Sequence, residues 1–184
     1  ICPSRGLGDV YKRQDIKRDS KGVVDGISAE DIGKFPDTNL AESLQRITGV
    51  AIERDRGEGS KITVRGFGPD FNIVSFNGRQ MPTNGGRSFD FGNIASEGIS
   101  AVEVYKSGRA NVATGGIGAV VNVKTSKPLE MPGEKLVFSA KGVHDPGTRG
   151  GNAINPEFAG LFSKTFSDDK FGVSLSLSSQ ERDG

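Results

Sequence analysis

The segment Gly115-Gly116-Ile117-Gly118-Ala119-Val120-Val121 has the residue types of a dinucleotide loop, in which glycines let backbone N–H groups approach a phosphate. Two features exclude that chemistry. Val121 stands where the third glycine of G-x-G-x-x-G belongs, and the β-branched run predicts a strand where a helix N-terminus is needed. Gly66-Phe67-Gly68-Pro69-Asp70-Phe71 fails likewise, because proline and phenylalanine occupy a cradle that needs free N–H groups. Ser88, Asp90 and His144 have the types of a hydrolytic triad, but no nucleophile elbow surrounds the serine. Asp168-Asp169 lies between two apolar runs, where turn formation and solvation account for it. No catalytic residue is expected. The lone Cys2 and lone His144 cannot assemble a thiolate or histidine-rich centre, so neither metal nor cofactor is expected.

Charge and composition narrow the classes further. With 24 basic and 23 acidic residues the chain has no global field to hold nucleic acid. Its 27 glycines, and the absence of tryptophan, suit a turn-rich β protein better than a helix bundle. No run approaches the roughly 18 to 20 apolar residues of a membrane helix, so any crossing of a membrane must use strands. The chain does not begin with methionine and reads as an internal piece; Ile1–Gln14 is expected to be a foreign join.

The elements follow from periodicity. Residues 15–26, with Lys17-Arg18-Asp19-Ser20-Lys21-Gly22 at their centre, read as a mobile polar leader. The serine-to-acid spacing of Ser28-Ala29-Glu30-Asp31 predicts a short helix ended by Gly33 and Pro36. A second helix is predicted over Asn39–Ile47, with Leu40, Leu44 and Ile47 on one face, Asp37 or Thr38 as cap and Gly49 as stop. Short strands follow at 50–53, 61–65, 72–76, 99–106 and 119–125, and the long connection 77–94 is rich in glycine. The prolines of Lys127–Gly133 mark a domain boundary. Beyond it Lys170–Ser179 alternates strictly, with Phe171, Val173, Leu175 and Leu177 on one face and glycine or serine on the other. A membrane barrel wall requires that alternation over about 9 to 11 residues. Phe158–Phe166 and Leu136–Val143 are the preceding strands.

In order, Pro36–Val50, Ile62–Asn72 (ITVRGFGPDFN), Phe76–Met81 (FNGRQM), Glu103–Gly108 (EVYKSG) and Thr114–Pro128 (TGGIGAVVNVKTSKP) closely resemble the plug domain of TonB-dependent outer-membrane receptors. The resemblance implies an α+β plug domain, a small mixed sheet with short helices, at residues 23–128. It is preceded by a leader at 1–22 and followed at 129–184 by antiparallel strands opening a transmembrane β-barrel. It implies a protein of the Gram-negative outer membrane that takes up a nutrient by energy coupling to TonB with ExbB/ExbD. Ile1–Gly22 holds no extended apolar run to serve as TonB box.

Residue by residue, the resemblance places Arg65 and Lys106 against carboxylates of the inner barrel wall. It points the loop after Asn77-Gly78 toward the ligand vestibule, where Arg79, Gln80, Asn84, Arg87 and Asp90 offer donors and acceptors without strong charge bias. Asp55, Arg56 and Glu58 form a second candidate loop. Ile27–Val50 resembles a branch associated with carbohydrate uptake, so oligosaccharide is the first expected ligand and ferric siderophore the second. A soluble glycan-binding module built from the same strands is the alternative of a different class.

Overall fold

In a computed structural model of the chain, residues 18, 22–28, 39–55, 58–83, 86–92, 94, 98–130, 133–144, 154–167 and 170–180 are described. The chain divides after Thr125 into two compact units, Ile1–Thr125 and Ser126–Gly184, against a sequence expectation of Pro128.

The first unit is built on a five-stranded sheet of strands β1 (Val24–Ser28), β4 (Asn72–Phe76), β5 (Arg79–Gln80), β6 (Ile99–Tyr105) and β7 (Ala119–Thr125), in the order β1-β6-β7-β4-β5. Its centre is the parallel pair β4 and β7, in register from Asn72↔Ala119 to Phe76↔Val123. Strands so placed are covered on both faces, which is why β4 reads as a short apolar run without alternation. All other pairings are antiparallel. Strands β2 (Val50–Asp55) and β3 (Glu58–Val64) make a separate antiparallel hairpin.

Helix α1 spans Leu40–Leu44, shorter than expected, and its cap is Asn39, whose Oδ1 accepts from Glu42 N–H at 3.2 Å. Leu40, Leu44 and Ile47 are buried as their spacing predicted, packed with Ile27, Val102, Val104, Val121 and Val123 of the sheet. The leader expected through Gly26 is corrected: Val24–Ser28 is an edge strand paired with β6. The helix predicted from Ser28 falls on 29–36, outside the described residues.

Two-residue turns fix the hairpins. Asn77-Gly78 has φ of 49° and 81°, and Arg65-Gly66 has 52° and 78°. Positive φ at both positions gives the type I′ geometry whose twist matches antiparallel strands, and glycine takes its place in each without a Cβ penalty.

The second unit is a three-stranded antiparallel sheet, β8 (Glu134–His144), β9 (Ile154–Phe166) and β10 (Phe171–Gln180), in the order β8-β9-β10. The register Leu136↔Phe162↔Leu175 puts Leu136, Phe138, Phe158, Phe162, Phe171, Val173, Leu175 and Leu177 on one face, all of them exposed. The opposite face carries Ser174, Ser176 and Ser178 of β10 and the buried Asn155, Ala159, Leu161 and Ser163 of β9. The same face carries the ion pair of Lys164 with Glu134 at 2.9 Å, at one end of this otherwise largely apolar surface.

Candidate functional site

The parallel pair defines two ends of the plug sheet. Loops 65–71 and 106–118 lead into the Asn72 end, and the Asn77-Gly78 turn closes the Phe76 end. Of the five expected ligand residues, the four that are described divide between these ends and the β3 hairpin.

Arg79 and Gln80 form β5, opposite Phe76 and Ser75, and both are exposed. The chain then runs back along β4, with Met81 N–H on Val74 O at 3.0 Å. At the Asn72 end Arg87 and Ser88 donate their N–H groups to Asp70 Oδ1 at 3.3 and 3.0 Å, and Arg87 Nη2 donates to Gly115 O at 2.8 Å. Arg79 and Arg87 are therefore separated by about the length of β4, roughly 13 Å. Asp90 is an anchor: its Oδ1 accepts from Ser60 Oγ at 3.0 Å and Gly92 N–H at 2.8 Å, holding Phe91 in the core. Asn84 and Arg56 lie outside the described residues, while Asp55 and Glu58 pair at the tip of the β2–β3 hairpin.

What gathers around Arg87 was not foreseen. Phe67 and Phe71 meet edge to face at 6.2 Å, and Gly118 N–H donates to Phe71 O at 3.1 Å, bringing Ile117 alongside. Phe71 is 49% and Ile117 71% exposed. An apolar tip rimmed by one guanidinium results. Its signal in the sequence was present in Phe67-Gly68-Pro69-Asp70-Phe71 and Ile117, whose side chains neither helical nor strand periodicity assigned to a core. Behind the tip Asn72 Nδ2 donates to Ile62 O at 3.2 Å and Gly68 O at 3.1 Å, pinning the loop, while its buried Oδ1 faces Gly118.

A polar row crosses the sheet on the face away from α1, through the facing residues Glu103, Asn122, Ser75 and Gln80. Glu103 is buried and accepts from Lys124 Nζ at 2.6 Å, Tyr105 Oη at 2.7 Å and Asn122 Nδ2 at 3.4 Å. Burial pushes its carboxyl up, but the donors of Lys124, Tyr105 and Asn122 together outweigh burial and hold it below its usual range. Burial, together with the bond to and charge of Glu103, pushes Tyr105 up to about 12. Asn122 Oδ1 accepts from Gly78 N–H at 2.9 Å, and Asn77 exchanges two hydrogen bonds with Thr125, so the Asn-Gly turn is a fixed corner of the sheet.

Arg65 is exposed and left-handed, with no ion pair among the described residues. Lys106 has partners within the first unit. The strand period puts it on the α1 face with Val102 and Val104, where its ammonium donates to Asp25 Oδ2 at 2.6 Å and to Thr48 O. Its side chain is 6% exposed, and its charge is met by Asp25 within the first unit. Among the described residues no group of three or more His, Cys, Asp or Glu could hold a metal ion, and no helix is long and apolar enough to cross a membrane, which says nothing of a barrel.

Residues 16–120 match the family model described as TonB-dependent Receptor Plug Domain. The chain belongs to this family. The chain is 27% identical over 172 residues to the ferric enterobactin receptor PirA of Pseudomonas aeruginosa, covering 78% of this chain and 23% of PirA. It is 28% identical over 113 residues to the vitamin B12 transporter BtuB of Vibrio cholerae, covering 60% of this chain and 18% of BtuB. The outer membrane transporter YddB of Escherichia coli shares the fold, with a TM-score of 0.60 at 15% identity over 84% of this chain and 26% of that one. The chain thus spans less than a quarter of the length of the curated relatives named here.

Proposed function

We propose that this chain is the plug and opening barrel strands of an outer-membrane receptor of a Gram-negative bacterium, one that takes up a nutrient with energy supplied through TonB and ExbB/ExbD. The observation that carries the proposal is the succession of a family-matched plug by strands of 11, 13 and 10 residues with one apolar, exposed face. Strands of that length and alternation fit a lipid-facing wall. The soluble glycan-binding alternative needs that face against a core, and its exposure speaks against it.

The ligand meets the plug at the Asn72 end, on Phe67, Phe71, Ile117 and Arg87. Two ligand classes fit. A ferric siderophore gains support from the relationship to PirA and from the guanidinium of Arg87, which suits an anionic chelate. An oligosaccharide suits aromatic faces and uncharged donors but draws no support from PirA or BtuB. Uptake by the full-length protein in a strain stripped of its own receptors decides the matter. Iron-chelate uptake that vanishes without TonB supports the first class, and TonB-dependent growth on oligosaccharide supports the second. Uptake that persists without TonB refutes the proposal.

A further inference from the structure

Among the described residues strand β1 is the edge of the plug sheet, five residues long with Gly26 at its centre and β6 as its one neighbour. Edge strands of this kind are drawn from the low-stability end of a fold. The contacts at its entry are dense by comparison. Val23 N–H donates to Ser107 Oγ at 2.9 Å, and Val23 O accepts from Lys106 N–H at 2.9 Å. Lys106 Nζ then reaches Asp25 of β1 and the carbonyl of Thr48, in the corner that follows α1.

The next carbonyl of that corner, Gly49 O, accepts from Arg65 N–H at 2.8 Å, at the turn preceding Phe67. One nearly buried ammonium therefore joins the first strand, the exit of β6 and the corner that also holds the Arg65-Gly66 turn. If β1 leaves, Asp25 leaves with it, and Lys106 is stranded as a buried charge with a carbonyl for partner. Such a charge is costly enough to draw the corner open as well.

We infer that Lys106 is a latch, a positioning residue that couples attachment of β1 to the Thr48-Gly49 corner and through it to the hairpin carrying Phe67. Opening of the strand favours opening of the corner, and opening of the corner favours release of the strand. This gives Lys106 a partner within the plug in place of the wall contact that the family resemblance implied.

The test is hydrogen exchange of the full-length protein in detergent, followed by mass spectrometry on the segments 22–28, 46–50, 62–67 and 119–125. Lys106→Met is expected to speed exchange of 22–28 by about ten- to a hundredfold, with a smaller rise in 46–50 and 62–67 and none in 119–125. Asp25→Asn should do the same for 22–28, and the double variant should fall short of the sum of the two single ones, because both break the Lys106–Asp25 contact. Unchanged exchange of 22–28 in Lys106→Met overturns the latch. So does an equal rise in 119–125, which would make Lys106 a general support of the fold, and so does additivity of the two substitutions. If Lys106→Met does not fold, Asp25→Asn carries the same comparison.

Discussion

Tyr105 offers a direct measure of the polar row. Its hydroxyl donates to Glu103 Oε2 at 2.7 Å, and its pKa is pushed from the ordinary 10.0 to about 12 by burial, the hydrogen bond and the carboxylate charge. At 1.36 kcal/mol for each tenfold change in proton affinity, that rise corresponds to roughly 2.7 kcal/mol. Partial exposure of the ring trims it to about 1–2 kcal/mol. A folded-state pKa above the unfolded value means that this stability is fully present below pH 10 and is lost as pH climbs from 10 toward 12. The chain has two tyrosines, Tyr11 and Tyr105, so a Tyr11→Phe background leaves Tyr105 as the sole phenol. Tyrosinate absorbance of the folded chain in detergent, titrated with base, is expected to show a midpoint near 12, and near 10 in concentrated urea. Glu103→Gln removes the charge while keeping an acceptor, and should bring the folded midpoint down by a substantial part of the difference. A folded midpoint at 10, or one that Glu103→Gln leaves in place, refutes the coupling of Tyr105 to Glu103.

The acid side mirrors this: the Glu103 carboxyl is held below 4.5, so its contribution is present above that pH and disappears as pH falls through the lower folded value; Glu103→Gln should flatten this loss in acid unfolding curves. Gly118→Ala should destabilise the plug by about 2–4 kcal/mol, since a Cβ would come within 2.9 Å of Phe67 Cβ and closer still to the pinned Asn72 Oδ1. Gly68→Ala, with nothing within 4 Å, should stay within about 0.5 kcal/mol by the same denaturant titration. Arg65→Asn should stabilise by up to about 1 kcal/mol, because asparagine tolerates the left-handed backbone found at φ 52°. Leu175→Lys should cost about 2–4 kcal/mol of membrane insertion and Ser176→Lys little, measured as the folded fraction in lipid vesicles.

The strands that sequence located best are those whose side chains answer to one environment. β4 and β7 cover the expected 72–76 and 119–125 around their β-branched residues, and β10 follows its strict alternation. β1 escaped notice because Val24-Asp25-Gly26-Ile27-Ser28 holds two apolar residues around a glycine and an acid, and its pairing partner lies far along the chain. Asn39 displaced Asp37 and Thr38 as the cap because its amide also donates to Gly59 O at 2.7 Å, a tertiary contact that no local pattern encodes. Neighbours in the loop after Asn77-Gly78 do not share one place. The loop instead spans the length of β4, carrying Arg87 to Asp70 and leaving Arg79 at the other end. The Lys106–Asp25 pair joins residues 81 positions apart, which no local pattern encodes.

The pairing of β1 with β6 has a consequence for how the chain acquires its fold. Asp25 and Lys106 lie 81 positions apart, so the first strand must wait for nearly the whole plug before it has a partner. β9 and β10, joined by a short turn, close on themselves at once. Contact order therefore sets a hierarchy in which the hairpins of the second unit form on a microsecond scale, while the plug sheet is completed by its most distant contact. Val24–Ser28 is thus among the last parts of the plug to settle, although it precedes every strand it must join.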